Sequence, residues 1–119
     1  MISPHRIHRR SDFQRTLKQG VRIRTRDLDV HRLTVSCEHP HPSRVDVALS
    51  GGPWLGMVVS KKVGNSVVRH RVARRIRAAF RSTVLPADAG QSYFVVRARP
   101  SAADRSSDEL AQQLTRAVP

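Results

Sequence analysis

The apolar positions of the chain switch period several times, and each switch marks an element. In "SDFQRTLKQG", residues 11–20, Phe13 and Leu17 stand four apart on one helical face, Ser11 and Gln14 have capping-box spacing, and Gly20 ends the pattern. This predicts a short amphipathic helix. "DLDVHRLTVS", residues 27–36, alternates with period two and predicts a strand, preceded by a short strand or bend at 21–24. "CEHPHPSR" follows as a loop, since two prolines remove ladder donors, and Val45 to Leu49 read as a strand extension or hairpin arm broken by Gly51, Gly52 and Pro53.

"WLGMVVS", residues 54–60, is a compact apolar run of the kind a buried strand requires. After the turn "KKVGNS", Asn65 or Ser66 can cap a helix reaching about Thr83, with Pro86 barring its continuation. At roughly 100° per residue, Val68, Val72, Ile76, Ala79 and Phe80 fall in one sector of that helix and form its core face. Residues 85–91 read as a loop and "SYFVVRA" as a core strand. "SSDELAQQLTRAV" reads as a last helix, with Ser106 and Glu109 in capping-box spacing and Leu110, Leu114 and Val118 on one face. The order predicts a small two-layer α/β sandwich with helices on a mixed sheet. Residues 1–10 are basic and unpatterned and read as a flexible or loosely docked arm, leaving 11–119 as a single domain.

Charge changes the picture from fold to partner. The 119 residues carry 22 Lys plus Arg against 9 Asp plus Glu, a formal net charge of +13. Most of these cations are Arg, whose planar fork matches phosphate and stacks on bases, and no acid occurs between Asp46 and Asp88. Nucleic acid is the leading partner class. A membrane is disfavoured: no apolar run approaches the roughly 18 residues a span needs, and Phe80 alone is a poor interfacial anchor. The start, "MISPHRIHRRSDF", lacks the apolar stretch of a secretory signal, and the single cysteine, Cys37, fits a reducing compartment, so the expected location is cytoplasmic.

The charge concentrates on one helix. His70, Arg71, Arg74, Arg77 and Arg81 fall opposite the core face, with Arg69 and Arg75 on its flanks. A merely solvated helix mixes signs, whereas like charges at i, i+4 cost a few tenths of a kcal/mol per pair. Arg71 with Arg75 and Arg77 with Arg81 repeat that cost, which a phosphate backbone would relieve. Lys61, Lys62, Gly64 and Asn65 lead into the helix N-terminus, where free N–H groups attract anions. A DNA-binding module is a weaker reading, because the arginines spread over four turns without clustered Asn or Gln to read bases; a ribosomal protein would share the composition. The acids are too scattered for a two-metal nuclease, and Cys37, His39 and His41 lack a second ligand pair.

"SKKVGNSVVRHRVARRIRAAF" resembles the signature of the bacterial ribonuclease P protein component, a Lys-Lys-x-Gly-Asn turn followed by Arg-Asn-Arg and spaced basic residues. "SDFQRTLKQGVR" and "YFVVRARPSAA" are similar to the family's first helix and late strand, while "HPHPSRVDVALSGGP" is longer than the family pattern. The resemblance implies the small subunit of a ribonucleoprotein that removes the 5′ leader of precursor tRNA, with Mg²⁺ and the chemistry held by the RNA subunit. It implies a left-handed βαβ crossover around the arginine helix, against the usual rule. It further implies contact of the catalytic RNA with Lys61, Lys62, Asn65, Arg69, His70, Arg71, Arg74, Arg75, Arg77 and Arg81, and of the leader with Phe13, Leu17 and His31. Two positions depart from the pattern: His70 replaces the signature Asn, and Ala73 a frequent Lys.

Overall fold

The computed structural model describes residues 6–7, 9–34, 53–85 and 92–118. Helix α1 (Arg10–Gln19) leads into strands β1 (Val21–Arg24) and β2 (Leu28–Thr34); β3 (Trp54–Val58), α2 (Ser66–Thr83) and β4 (Ser92–Ala98) follow, and after a 3-10 turn at Pro100–Asp104 comes α3 (Ser107–Thr115). The predicted loop at 37–44, the strand extension at 45–49 and Pro86 lie outside the described residues.

The four strands form one sheet in the order β1-β2-β4-β3. β1 pairs antiparallel with β2, and β2 antiparallel with β4. β3 lies parallel to β4, and α2 makes the connection between these two neighbours. The sheet is therefore mixed, and the long arginine-bearing helix is its crossover.

Alternation along the strands divides the core between two faces. On one, Leu28, Val30, Leu55, Phe94 and Val96 meet Val72, Ile76, Ala79 and Phe80 of α2 and Leu110 and Leu114 of α3. Phe80 and Phe94 meet edge to face with centroids 5.9 Å apart. Fully burying an aliphatic or aromatic side chain is worth about 1.5–3 kcal/mol. Val72, Ile76 and Phe80 together thus outweigh several like-charge penalties of a few tenths each on the far side of α2. On the opposite face Ile7, Tyr93 and Val95 are buried, with Phe13, Leu17, Leu33, Trp54 and Val58 packed around them.

α1 differs from its sequence reading at its start. It begins at Arg10 with Arg9 extended at the cap and no side-chain cap bond, so Ser11 lies inside the first turn and its capping box does not form. The cause is the docking of the residues just before it: the Ile7 N–H donates to Leu55 O at 3.0 Å and the Ile7 side chain is buried. That fixes the direction in which the chain enters the helix, and the inner end of the arm is fastened to β3. The stop at Gly20 forms as read. A Cβ there would stand 2.5 Å from Thr16 O and 2.8 Å from Arg32 O, because the chain reverses at once into β1.

α3 carries the predicted capping box, with the Glu109 N–H donating to Ser106 Oγ and the Ser106 N–H to Glu109 Oε1. It is also tied to β2 by a buried polar knot. The Asp27 N–H donates to Gln113 Oε1 at 2.8 Å, Gln113 Nε2 donates to Asp27 Oδ2 at 2.7 Å, and Arg105 Nε donates to the same oxygen at 3.0 Å. Burial alone would push the Asp27 carboxyl up, but hydrogen bonds from Ser101 and Gln113 and the charges of Arg105 and Arg26 hold it below the ordinary carboxylate range.

Candidate nucleic-acid interface

The turn before α2 is built to present a helix N-terminus. Val63 is buried and anchors it, its N–H donating to Ser60 O at 3.1 Å, while Lys61 and Lys62 project into solvent. Gly64 is required by close approach, since a Cβ there would lie 2.8 Å from Val68 Cβ. Asn65 is the N-cap, its side chain accepting from the Val68 N–H at 3.0 Å, as its position in the sequence predicts. The first turn of α2 contains no acidic residue to compete for the helix dipole.

Along α2 the predicted polar face is exposed at His70, Arg74, Arg77 and Arg81, while Arg69 and Arg71 are partly buried along their stems. The Nε atoms of Arg69 and Arg71 are shielded from solvent and have no hydrogen-bond partner. Arg75 behaves differently: one of its terminal nitrogens donates to Arg105 O at 2.8 Å, linking α2 to the segment before α3. Part of its guanidinium thus serves the fold. Among the described residues no carboxylate pairs with any cation of α2 or of its turn. The acids that do pair are elsewhere: Asp12 with Arg15, Asp29 with Arg22, Arg24 and Arg99, and Asp27 and Glu109 with Arg105.

The second set of sequence-predicted residues lies across the sheet. Phe13 and Leu17 project from α1 into the smaller apolar cluster, and Phe13 packs where Gly56 leaves room: a Cβ at Gly56 would be 2.7 Å from its ring. His31 is on the same sheet face, flanked across the strands by Arg22 and Val95. Its Nδ1 is buried without a partner. Burial first, and then the nearby Arg22 and Arg97 charges against the opposing pull of Asp29, lower the His31 pKa and favour the neutral ring. The structure therefore brings Phe13 and Leu17 together, places His31 on the same face, and sets all three on the opposite side of the sheet from α2.

This second face also contains groups the sequence reading passed over. Trp54 and Tyr93 stack with centroids 4.6 Å apart and planes at 23°, and the Arg15 guanidinium lies 5.7 Å from the Tyr93 ring centre. Burial, with the charge of Asp12, raises the Tyr93 pKa, so its hydroxyl stays protonated. The signal for them was present in the alternation of "SYFVVRA", which puts Tyr93 and Phe94 on opposite faces. The described residues do not fit a metal, as no three His, Cys, Asp or Glu side chains come together. None of the described helices is long and apolar enough to cross a membrane.

The sequence model of the ribonuclease P family, described as "Ribonuclease P", matches residues 1–119. The chain belongs to the ribonuclease P protein family. Within the family it is 43% identical over 122 residues to the ribonuclease P protein component of Nocardia farcinica, covering 93% of this chain and 76% of that protein. With the one from Corynebacterium urealyticum it shares 39% identity over 127 residues, 99% of this chain and 96% of that protein. The solved structure of the Staphylococcus aureus RNase P protein superposes with a TM-score of 0.70 at 28% identity, over 96% of this chain and 91% of that one. The family membership and the α/β fold with helices on a mixed sheet expected from the sequence are both borne out.

Proposed function

We propose that this chain is the protein subunit of a ribonucleoprotein ribonuclease P, binding the catalytic RNA through α2 and its turn and the 5′ leader of precursor tRNA through the face that carries α1. One observation carries the reading: among the described residues, Lys61, Lys62, Arg69, Arg71, Arg74, Arg77 and Arg81 have no carboxylate partner, although acids elsewhere in the domain are paired. Unpaired cations on one helix, next to an uncovered helix N-terminus, suit the phosphates of a folded RNA, which return counterions to solvent when they bind. His70 stands in the same row and can donate to phosphate or stack on a base. Arg75 contributes with the donors left after its bond to Arg105 O.

On the other face, Phe13, Leu17 and His31 offer apolar and ring surface for unpaired bases, a mode suited to single-stranded RNA. Family membership supports the assignment to tRNA 5′ maturation in the bacterial cytoplasm. In this reading Mg²⁺ and the hydrolytic step belong to the RNA subunit, and no step is routed through a metal held by the protein.

The test is leader cleavage by the RNA subunit at low Mg²⁺, with and without the protein. Stimulation is expected, and its absence overturns the assignment. Footprinting of the RNA subunit with wild type and with Arg71→Ala plus Arg74→Ala locates the contact. An identical footprint removes α2 from the interface. Comparable affinity for duplex DNA, precursor tRNA and the RNA subunit at physiological salt would point instead to a general nucleic-acid-binding module.

A further inference from the structure

Among the described residues two large hydrophobic side chains are exposed, Val21 at 57% and Val67 at 71%. Val21 opens β1, where a β-branched residue suits the backbone. Val67 stands one residue inside α2, where it does not: β-branched residues are weak helix formers, and the first turn of a helix favours Asp or Glu. Nor does Val67 serve the core, because its neighbour Val68 packs there and fills the space beside Gly64.

A lone exposed apolar residue is ordinary. Val67 is set apart by its company. His70, Arg71 and Arg74 follow it at i+3, i+4 and i+7, the spacing of one helical stripe, and Val67 and Arg74 lie nearly opposite the core face. His70 and Arg74 are exposed beside it, as are Lys61 and Lys62 in the turn. A purely electrostatic contact with RNA explains the cations. It leaves the valine in their midst without a role, since an apolar side chain dilutes the charge and offers phosphate nothing. Two methyl groups next to an imidazole make instead a weakly polar surface on which a nucleobase can lie, while cations around it take the phosphates on either side.

We propose that Val67 and His70 form a base-contact patch for an unpaired nucleotide of the RNA subunit, with the base on the Val67 methyls and the His70 ring and the adjoining phosphates on Arg71 and Arg74. The patch rests on the α2 contact proposed above and adds to it the kind of RNA element that α2 meets. In an A-form duplex the base faces are stacked on one another and the major groove is too deep and narrow for side chains to read. The nucleotide therefore belongs to a loop, bulge or junction. His70 acts here through its ring, and the charge of the surface is left to the arginines and lysines.

The experiment is equilibrium binding of the protein to the RNA subunit across a salt series, with Val67→Ala, His70→Asn, His70→Phe and Arg74→Ala compared with wild type. Alanine is the better helix former, so weaker binding by Val67→Ala does not report a loss of folding. Val67→Ala and His70→Asn are each expected to weaken binding about fivefold or more, the scale of a lost base contact, with the slope of log affinity against log salt unchanged. Arg74→Ala is expected to lower that slope by about 1. His70→Phe keeps a ring and discards both nitrogens, and is expected to restore most of the affinity that His70→Asn loses.

Wild-type affinity in Val67→Ala overturns the proposal. So does a lowered salt slope in His70→Asn, or His70→Phe binding no better than His70→Asn, since either would assign His70 to charge or to a hydrogen bond. Chemical probing of the RNA subunit is expected to show a base protected by wild type and re-exposed with Val67→Ala, while backbone protections persist; protections confined to the backbone overturn it as well. Footprinting with Arg71→Ala plus Arg74→Ala keeps the two readings apart. An unchanged footprint removes α2 from the interface and the patch with it, whereas a lost footprint together with wild-type binding by Val67→Ala removes the patch alone.

Discussion

The Gln113 side chain ties the last helix to the segment that opens β2. Its Oε1 accepts from the Asp27 N–H and lies 2.8 Å from Thr25 Oγ1, while its Nε2 donates to Asp27 Oδ2. Gln113→Met keeps the volume and removes both functions, stranding the buried Asp27 N–H and depriving the Asp27 carboxylate of one of its donors. Each buried polar group left unsatisfied costs about 1–3 kcal/mol, so the variant should lose about 3 kcal/mol in urea unfolding. A fall well under 1 kcal/mol would show that water replaces the amide. Gly56 makes a second residue-scale case, this time of space. Gly56→Ala puts a methyl 2.7 Å from the Phe13 ring and 3.3 Å from Ile7 Cδ1, and overpacking of this kind costs about 1–3 kcal/mol. Because the displaced ring is a proposed leader contact, leader discrimination should fall together with thermal stability.

At the scale of elements, α2 carries two kinds of arginine that sequence periodicity treats alike. Arg74 is exposed and unpaired, whereas Arg75 donates to Arg105 O and so joins α2 to the Asp27 knot. Arg74→Ala should leave stability unchanged and lower the salt slope of RNA-subunit binding by about 1. Arg75→Ala should cost about 1 kcal/mol of stability with a smaller change of slope. Identical behaviour of the two variants would show that the Arg105 bond does not form in solution. The bounds of α2 were legible because Asn65 caps it and its apolar period is unbroken to Phe80, both local facts. The start of α1 was not: its capping-box spacing is local, but what decides the start is Ile7 docking on Leu55, nearly fifty positions away in the chain. The Asp27–Gln113 knot was invisible for the same reason, since nothing near Asp27 in the sequence identifies a partner at the other end of the chain. The α2 surface could thus be read almost residue by residue. The ion pairs of Asp29 needed the register of β1, β2 and β4 before its arginines stood together.

Across the whole molecule, the titrating groups act in one direction. Burial raises the Asp29 carboxyl, but hydrogen bonds and charges from Arg99 and Arg22 more than offset it, and the net shift is downward, as at Asp27. Glu109 is lowered by its hydrogen bonds from Ser106. A carboxyl depressed by folding contributes stability above its ordinary value, and that contribution is lost as pH falls toward the folded value. His31 is also depressed, from an ordinary value of about 6.5. Below that value the unfolded chain takes up a proton that the folded chain refuses, so stability again falls with falling pH. Two declines are therefore expected in urea unfolding, one starting near pH 6.5 and a second below about pH 4. His31→Gln should abolish the first and keep the second. The net charge of +13 grows as histidines protonate and adds general repulsion. High salt separates the two causes, because screening suppresses the general term far more than the shift of a half-buried ring. A first decline that vanishes in high salt, or that survives His31→Gln, would assign the upper transition to overall charge instead of to the ring beneath the proposed leader path.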